Sequence, residues 1–451
     1  MNNKRIKIYS ALTVILMSAL SCRNYVEIEE YGTRTLKSTN DYQYIVNNKA
    51  NFENTSIFPI ASSDDLTNVL SAAAANRLGA QNLNAYLWSE TFLGDNQQDA
   101  GWNNLYKHVY IANEVLAGVM DSENGTINQK QVIASEAKVH RAFAYFCLAN
   151  QYAPIYDPSL AATQAGLPLL LTPSLFQNLT RVPLQVVYAQ ILDDLVTAVD
   201  ALPNKPRFNN HPSKLAVYIL LSRVHLVMRN FEEAGKYADM ALALDPQLLN
   251  VEEFLAETYP QPLEDPELVL SKMSAGSIVG PVNSEVLSLY NDTDLRLTYF
   301  MEEDASLGGF KYMKPTKSGS FFTVVGLSTP EIYLNRAEVY ARDNNALKVV
   351  ELLNILREKR FKETDYIPLS VADVQNDLLQ AVINERRREF VCTEMRWYDM
   401  RRLTLDGKYF KTVTREYDGQ KYTLEAGSPR FVFPVNQEIL NLNPEIGQSP
   451  R

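Results

Sequence analysis

VQNDLLQAVINERRREFVCTEMRWYDMRR, residues 374–402, decides how the rest of the chain is read. Leu379, Ile383, Arg386 and Phe390 follow one another at helical spacing, which places all four on one stripe. Arg386 therefore lies on an apolar face. A guanidinium keeps its charge, so one held against a core must meet carboxylates or carbonyls that fill its planar fork. Glu385, Glu389, Glu394 and Asp399 are close in sequence. Trp397 and Met400 give the following segment its own apolar face, with Arg396 and Asp399 as an i,i+3 pair on a neighbouring one. The expectation is two short amphipathic helices stitched by ion pairs. So many arginines would also suit an anion or nucleic-acid site, but the interleaved acids and the acidic chain favour a structural salt-bridge network.

The 451 residues can bury a large core and are many for one simple domain. Composition is that of an ordinary folded soluble protein, apart from 25 tyrosines against three tryptophans. The formal charge is -10, and residues 1–21 contain Lys4, Arg5 and Lys7 with no acid, so their removal leaves -13. That balance argues against a nucleic-acid partner. The basic start runs into an apolar stretch, Ile8 to Leu20, and then Ser21 and Cys22. Thirteen apolar residues are too few to span a bilayer as a helix, so residues 1–21 read as a secretory signal. Ala19-Leu20-Ser21-Cys22 resembles a bacterial lipobox, with Leu one place later than usual. Cleavage there would leave Cys22 carrying a diacylglycerol thioether and an acylated amine, enough lipid for stable attachment. The remaining cysteines, Cys147 and Cys392, read as buried thiols, although sequence alone leaves a disulfide open.

Arg23 to Gly32 reads as a tether, and Ser38-Thr39-Asn40-Asp41 supplies caps for a short helix through Tyr42, Ile45 and Val46. About 51–100 is irregular and reads as loops with short helices. From Trp102 the spacing becomes helical. Leu105, Val109, Ala112, Leu116 and Val119 form one stripe, with Asp99 as a capping residue, and Val139, Ala142, Phe143, Phe146 and Ala149 form a second that stops near Pro154. Tyr156 to Arg181, rich in Pro and Leu, reads as a surface connector. Val187, Ile191, Leu195, Ala198 and Leu202 mark a third helix. SKLAVYILLSRVHLVMRN followed by FEEAGKYADMALALDP has the look of a tetratricopeptide repeat, with small Ala234 and Ala241 at a close helix approach. About 251–326 is irregular again, with short strands and turns expected. A further helix pair covers Tyr333 to Leu353, and the tail FVFPVNQEILNLNPEIGQSPR reads as an irregular strap across the helices.

WNNLYKHVYIAN, SEAKVHRAFAYF, RVPLQVVYAQILDDL, the AEVYAR and ALKVVELLNILR pair, ERRREFVCTEMRWYDMRR and FVFPVNQEILNLNP, in this order behind a signal and a Cys, resemble the SusD/RagB family of outer-membrane nutrient-binding lipoproteins of Bacteroidetes. The resemblance covers nearly the whole mature chain. It implies a mostly α fold in a single domain, residues 22–451, with tetratricopeptide-like helix pairs at about 100–250 and 327–360 forming an α-superhelical frame. The irregular segments then form a ligand-facing half. It also implies a partner, a SusC-like TonB-dependent transporter, over which the lipoprotein sits as a lid at the outer membrane. Members capture oligosaccharides or peptides and catalyse nothing. The chain is short for the family, which implies trimmed binding loops, and its first acids, Glu27, Glu29 and Glu30, come later than in typical surface-export signals.

The chemistry-bearing residues agree with a binder. His108, His140 and His225 lie in expected helices and His211 precedes a proline, with no zinc-type spacing, so no metal or cofactor is expected. GxSxG, Walker and GxGxxG patterns are absent. Asp64-Asp65 and Asp193-Asp194 could be posed as glycosidase carboxylates, but Asp193-Asp194 sit in a helix beside a buried stripe. Sugar rings lie on aromatic faces while polar groups at the rim orient them. Trp102 and Trp397 fall in helix motifs and read as core. Trp88 lies in irregular sequence with Tyr86 and Phe92 near it and Asp95, Asn96 and Gln97 following, and Tyr299, Tyr312, Phe321 and Phe322 are their counterparts in the other irregular half. Trp88, Tyr86, Tyr299 and Tyr312 are therefore the candidate ligand contacts, with an oligosaccharide the expected ligand. The alternatives are peptide capture, as in RagB, and a periplasmic tetratricopeptide scaffold that docks proteins.

Overall fold

The computed structural model describes residues 36–94, 96–206, 208–254, 259–278, 280–314 and 322–451. The signal segment, Cys22, the tether, Asp95 and Phe321 lie outside these residues. Helix α1 (Thr39–Asn47) begins where the Asp41 carboxylate accepts from the Ser38 amide at 2.8 Å and its hydroxyl at 2.9 Å, satisfying a helix start that would otherwise lack partners. Three short helices, Phe58–Ser62, Ala72–Leu78 and Ala80–Tyr86, occupy the first irregular segment.

Asp99 then caps α2 (Ala100–Gly118): its carboxylate accepts from the Trp102 amide at 3.0 Å and from the Tyr152 hydroxyl at 2.7 Å. The expected stripe faces inward except that Leu116 is half-buried and Val115 takes the inner place. Helix α3 (Ile127–Tyr152) is buried on every side from Val139 onward, because α2 packs on one flank and α4 (Leu184–Ala198) on the other. Between α3 and α4 the connector forms a small antiparallel pair, β1 (Ala165–Pro168) with β2 (Arg181–Pro183). Ser213 caps α5 (Lys214–Val227), and α6 (Phe231–Leu242) folds back on it. Ala234, Ala238 and Ala241 are fully buried. At Gly235 a Cβ would stand 2.9 Å from the Arg336 guanidinium and 3.1 Å from Val339, so the small stripe lets α6 lie close to a later helix.

The second irregular segment carries β3 (Leu268–Leu270) and the hairpin β4 (Met301–Asp304) with β5 (Gly309–Tyr312), and β6 (Leu327–Ser328) pairs back on β3. Helices α7 (Thr329–Arg342) and α8 (Ala346–Glu358) form the last pair, and α7 rests against α6. The two helices expected in the arginine-rich stretch are α9 (Leu378–Glu389) and α10 (Glu394–Leu403). A second hairpin, β7 (Val413–Tyr417) with β8 (Gln420–Leu424), turns at Asp418-Gly419, both in the left-handed region. In the tail a short helix, Gln437–Leu442, interrupts what the sequence reads as wholly irregular strap.

The arginine stretch is a structural network. Arg386 gives its fork to Asp399 at 3.0 and 3.2 Å and its third nitrogen to Asn335 at 2.7 Å. Arg402 binds Asp399 at 2.8 Å and grips both oxygens of Glu338. Arg296 holds Asp294, Glu385 and Glu389, and Arg360 holds Glu389 and Glu267, all within 3.0 Å. Two expectations need correction. Arg396 does not pair with Asp399, which Arg386 and Arg402 already saturate; it reaches instead across the molecule to Asp64. Glu394 has no arginine within ion-pair distance among the described residues, and burial raises its carboxyl to about 7. Cys147 and Cys392 are separate buried thiols.

Candidate ligand-binding site

The two irregular segments are stitched backbone to backbone into one layer. Thr55 donates to the Met273 carbonyl at 2.7 Å and Met273 to Glu53 at 2.9 Å; Thr67 donates to Pro281 at 2.8 Å and Asn283 to Asp65 at 2.7 Å. Asp64 and Asp65 join this layer to the helices. Arg396 clamps both oxygens of Asp64 at 2.5 and 2.7 Å, and Arg387 adds an ion pair at 3.4 Å. Burial would raise the Asp64 carboxyl, but Arg387 and Arg396 override it and hold it well below the usual range. Asp65 accepts from the Cys392 amide at 2.9 Å, and burial, reinforced by Asp64, pushes it up to about 6. Asp194 is gripped by Arg141 at 2.6 and 2.8 Å. Of the acids posed as glycosidase carboxylates, Asp64, Asp65 and Asp194 thus serve as joints.

The candidate aromatics divide into two groups. Tyr86 and Trp88 are fully buried and lie together against Arg415, whose guanidinium carbon is 3.9 Å from the tyrosine ring centre and 4.3 Å from the tryptophan's. The Trp88 indole donates to the Ser62 carbonyl at 2.9 Å and the Tyr86 hydroxyl to Thr67 at 2.7 Å. Neither ring presents a face to solvent, which corrects the reading of Trp88 and Tyr86 as ligand platforms. Arg415 has a physical need for them. Among the described residues its nitrogens reach only carbonyls, those of Ala61, Ser62, Ser63 and Tyr86, and burial lowers its pKa to about 10, so aromatic faces supply stabilisation that a carboxylate otherwise would. Phe92 is buried against Phe58 and Phe433, whereas Phe322 is exposed. Trp102 and Trp397 are core, as the helix motifs imply.

Tyr299, next to β4, and Tyr312, on β5, are half-buried. Tyr312 lines a cavity of about 70 Å³ with Tyr259, Asp265, Glu267 and Lys314, where burial raises Glu267 to about 7. A much larger groove, about 930 Å³, was not foreseen. Its walls are the connector after α3, the turn after α10 and the tail. Ile155, Leu405 and Ile446 line it with apolar surface, and Asp157, Gln164 and Gln448 with polar groups. Arg181 ties the walls together, donating to the Tyr152, Gly166 and Ile446 carbonyls at 2.8, 2.9 and 2.9 Å. The Gln164 side-chain oxygen is buried and has no hydrogen-bond partner among the described residues. The sequence signal for this groove was the pairing of two Pro-rich irregular stretches, which periodicity does not connect.

Two family profiles match the chain: a SusD-like one described as starch-binding and associating with the outer membrane over residues 28–226, and that of the SusD family over residues 329–451. The chain belongs to the SusD family. The SusD-like protein P2 of Formosa agariphila is 23% identical over 76% of this chain and 80% of its own length. Among solved structures, a SusD superfamily protein from Bacteroides thetaiotaomicron superposes with a TM-score of 0.74 at 19% identity, covering 92% of this chain and 100% of that one. A SusD-like carbohydrate binding protein from Bacteroides vulgatus superposes with a TM-score of 0.66 at 18% identity, covering 91% and 98%. The SusD profiles stop at 226 and resume at 329, so the second irregular segment falls between them.

Proposed function

We propose that the chain is a non-catalytic surface lipoprotein, one domain anchored through Cys22, that captures a nutrient oligosaccharide and passes it to a SusC-like TonB-dependent transporter. The observation that carries this reading is the groove on a SusD-type frame. Ligand sites combine apolar surface with a few polar groups that fix orientation. Ile155 and Leu405 supply the first, Asp157, Gln448 and the unpartnered Gln164 oxygen the second. Tyr299 and Tyr312 are proposed as outlying contacts.

A peptide is the second reading, and one observation favours it. Among the described residues that line the groove the aromatic one is Phe431, and it is buried, so no ring face is offered to a sugar there. Calorimetric titration of residues 23–451 against panels of oligosaccharides and peptides separates the two. Saccharide binding that a groove-filling Gln164→Trp abolishes, at unchanged melting temperature, is the expected result. Peptide binding lost in the same variant would replace the first reading with the second. Binding indifferent to Gln164→Trp would remove the groove and turn attention to Tyr299 and Tyr312.

A further inference from the structure

The connector after α3 makes an excursion that ends in open solvent. The Tyr106 hydroxyl donates to the Pro168 carbonyl at 3.0 Å, the Leu170 amide to the Tyr145 hydroxyl at 2.6 Å, and the Asn113 side chain to the Leu170 and Thr172 carbonyls at 3.0 and 3.2 Å. These contacts lay residues 168–172 along α2, heading for its C-terminal end. Asn113 is itself fixed by Arg141 at 2.7 Å, and Arg141 by Asp194, so the base of the excursion is bolted to a buried ion pair. Beyond Thr172 the chain turns on its own side chains: Gln177 donates to the Thr172 and Ser174 carbonyls at 2.9 and 2.8 Å, and the Phe176 amide donates to the Ser174 hydroxyl at 3.3 Å. The turn presents Leu175 at 79% and Phe176 at 95% exposure.

A braced turn that displays its two largest apolar side chains to water signals a contact. Its neighbours lie at the same end of the molecule. Asn113 is about 10 Å of helix from the α2–α3 turn, where Met120 and Ile127 are exposed, and Leu36, the first described residue, packs against the buried cluster to which Val115 and Val119 belong. Thirteen residues lie between Cys22 and Leu36. A chain of that length spans at most about 50 Å, so a lipid on Cys22 ties the molecule to the bilayer from this end.

We propose that the prong at Leu171–Phe176 is a membrane-contact element, with Leu175 and Phe176 entering the interfacial layer of the lipid surface as a second attachment. It rests for its setting on the lipid-anchor reading. Separate apolar tips suit lipid, which needs no complementary shape, and apolar area immersed in the interface would fix the orientation of a protein that a covalent anchor alone leaves free to turn. Glu114, Asp121 and Glu123 outnumber Lys37 and Lys130 at the same end, so it fits a neutral or zwitterionic surface better than an anionic one.

The test uses residues 23–451, which contain every described element and no lipid, with phosphatidylcholine vesicles. The unmodified chain is expected to co-sediment with them, and L175S/F176S to reduce the bound fraction about tenfold or more at unchanged melting temperature; anionic lipid should weaken binding. No sedimentation of the unmodified chain, or equal sedimentation of the double variant, overturns the proposal. So does loss of transporter co-purification in L175S/F176S without any effect on vesicles, which would make the prong a protein contact. Because the vesicle assay contains no anchor, its outcome is independent of whether Cys22→Ala releases the full chain from cell membranes, and the two readings can fail separately.

Discussion

Asp65 is wholly buried, accepts one amide hydrogen bond and sits beside an ionised Asp64. An acid raised to about 6 in the fold binds its proton more tightly there than in the unfolded chain. The resulting penalty is absent below about pH 4, builds as pH climbs to about 6 and is constant above, amounting to at most about 3 kcal/mol. Asp65→Asn keeps an oxygen for the Cys392 amide and removes the charge. It should therefore melt higher than the unmodified chain at pH 7, with the gain shrinking to nothing near pH 4; a gain of equal size at both pH values would refute the assignment. Sequence alone made part of this residue-scale chemistry legible. The burial of Arg386 and its need for a carboxylate follow from helical spacing, and Asp399 is the acid it takes. The partner of Arg396 was not legible, since Asp64 is brought to it only by tertiary folding. Trp88 misled for the same reason: its stretch lacks periodicity, which suggests a surface, but Arg415 arrives from a distant hairpin to cover it.

At the scale of elements, the tail is held by arginines that donate to backbone carbonyls. Arg181 reaches Ile446, Arg401 reaches Phe431 and Ala153, and Arg451 reaches Val432, Trp88 and Ser89. Such staples satisfy carbonyls that an irregular segment cannot pair in a helix or sheet. Arg401→Leu leaves the Phe431 and Ala153 carbonyls short of a donor, a loss of about 1–3 kcal/mol. It should speed amide exchange across 429–451 while α2 and α3 keep their protection, and exchange raised evenly through the chain would contradict the staple. Helices were the most legible elements because a stripe of side chains announces each one. The β7–β8 hairpin was missed although Asp418-Gly419 is a strong turn signal, and the short tail helix was hidden among Asn and Pro.

Over the whole molecule, the buried ion network joins the helices to the layer of irregular segments: Arg296 and Arg360 link α9 to Asp294 and Glu267, and Arg396 links α10 to Asp64. Burial would raise Glu389, but Arg360 and Arg296 hold it at about 2, and Glu338 and Glu385 are likewise held well below the usual range by their arginines. Acids depressed in this way contribute stability that is complete above the unfolded value near pH 4 and disappears as pH falls toward 2. Far-ultraviolet and near-ultraviolet circular dichroism should then collapse together in that window, since the same ions bind both halves; two separate steps would show that the layers unfold independently. The mostly helical, tetratricopeptide-like architecture was legible from six motifs in order, whereas the groove was not, because three unrelated stretches build it. For anyone grafting a new specificity onto this scaffold, the network sets the cut sites. A transplanted 265–313 loop that lacks Glu267, Asp294 and Arg296 would take one buried partner each from Arg360, Glu385 and Glu389, so exchangeable material begins only at the turns beyond those residues, such as the tip between β4 and β5.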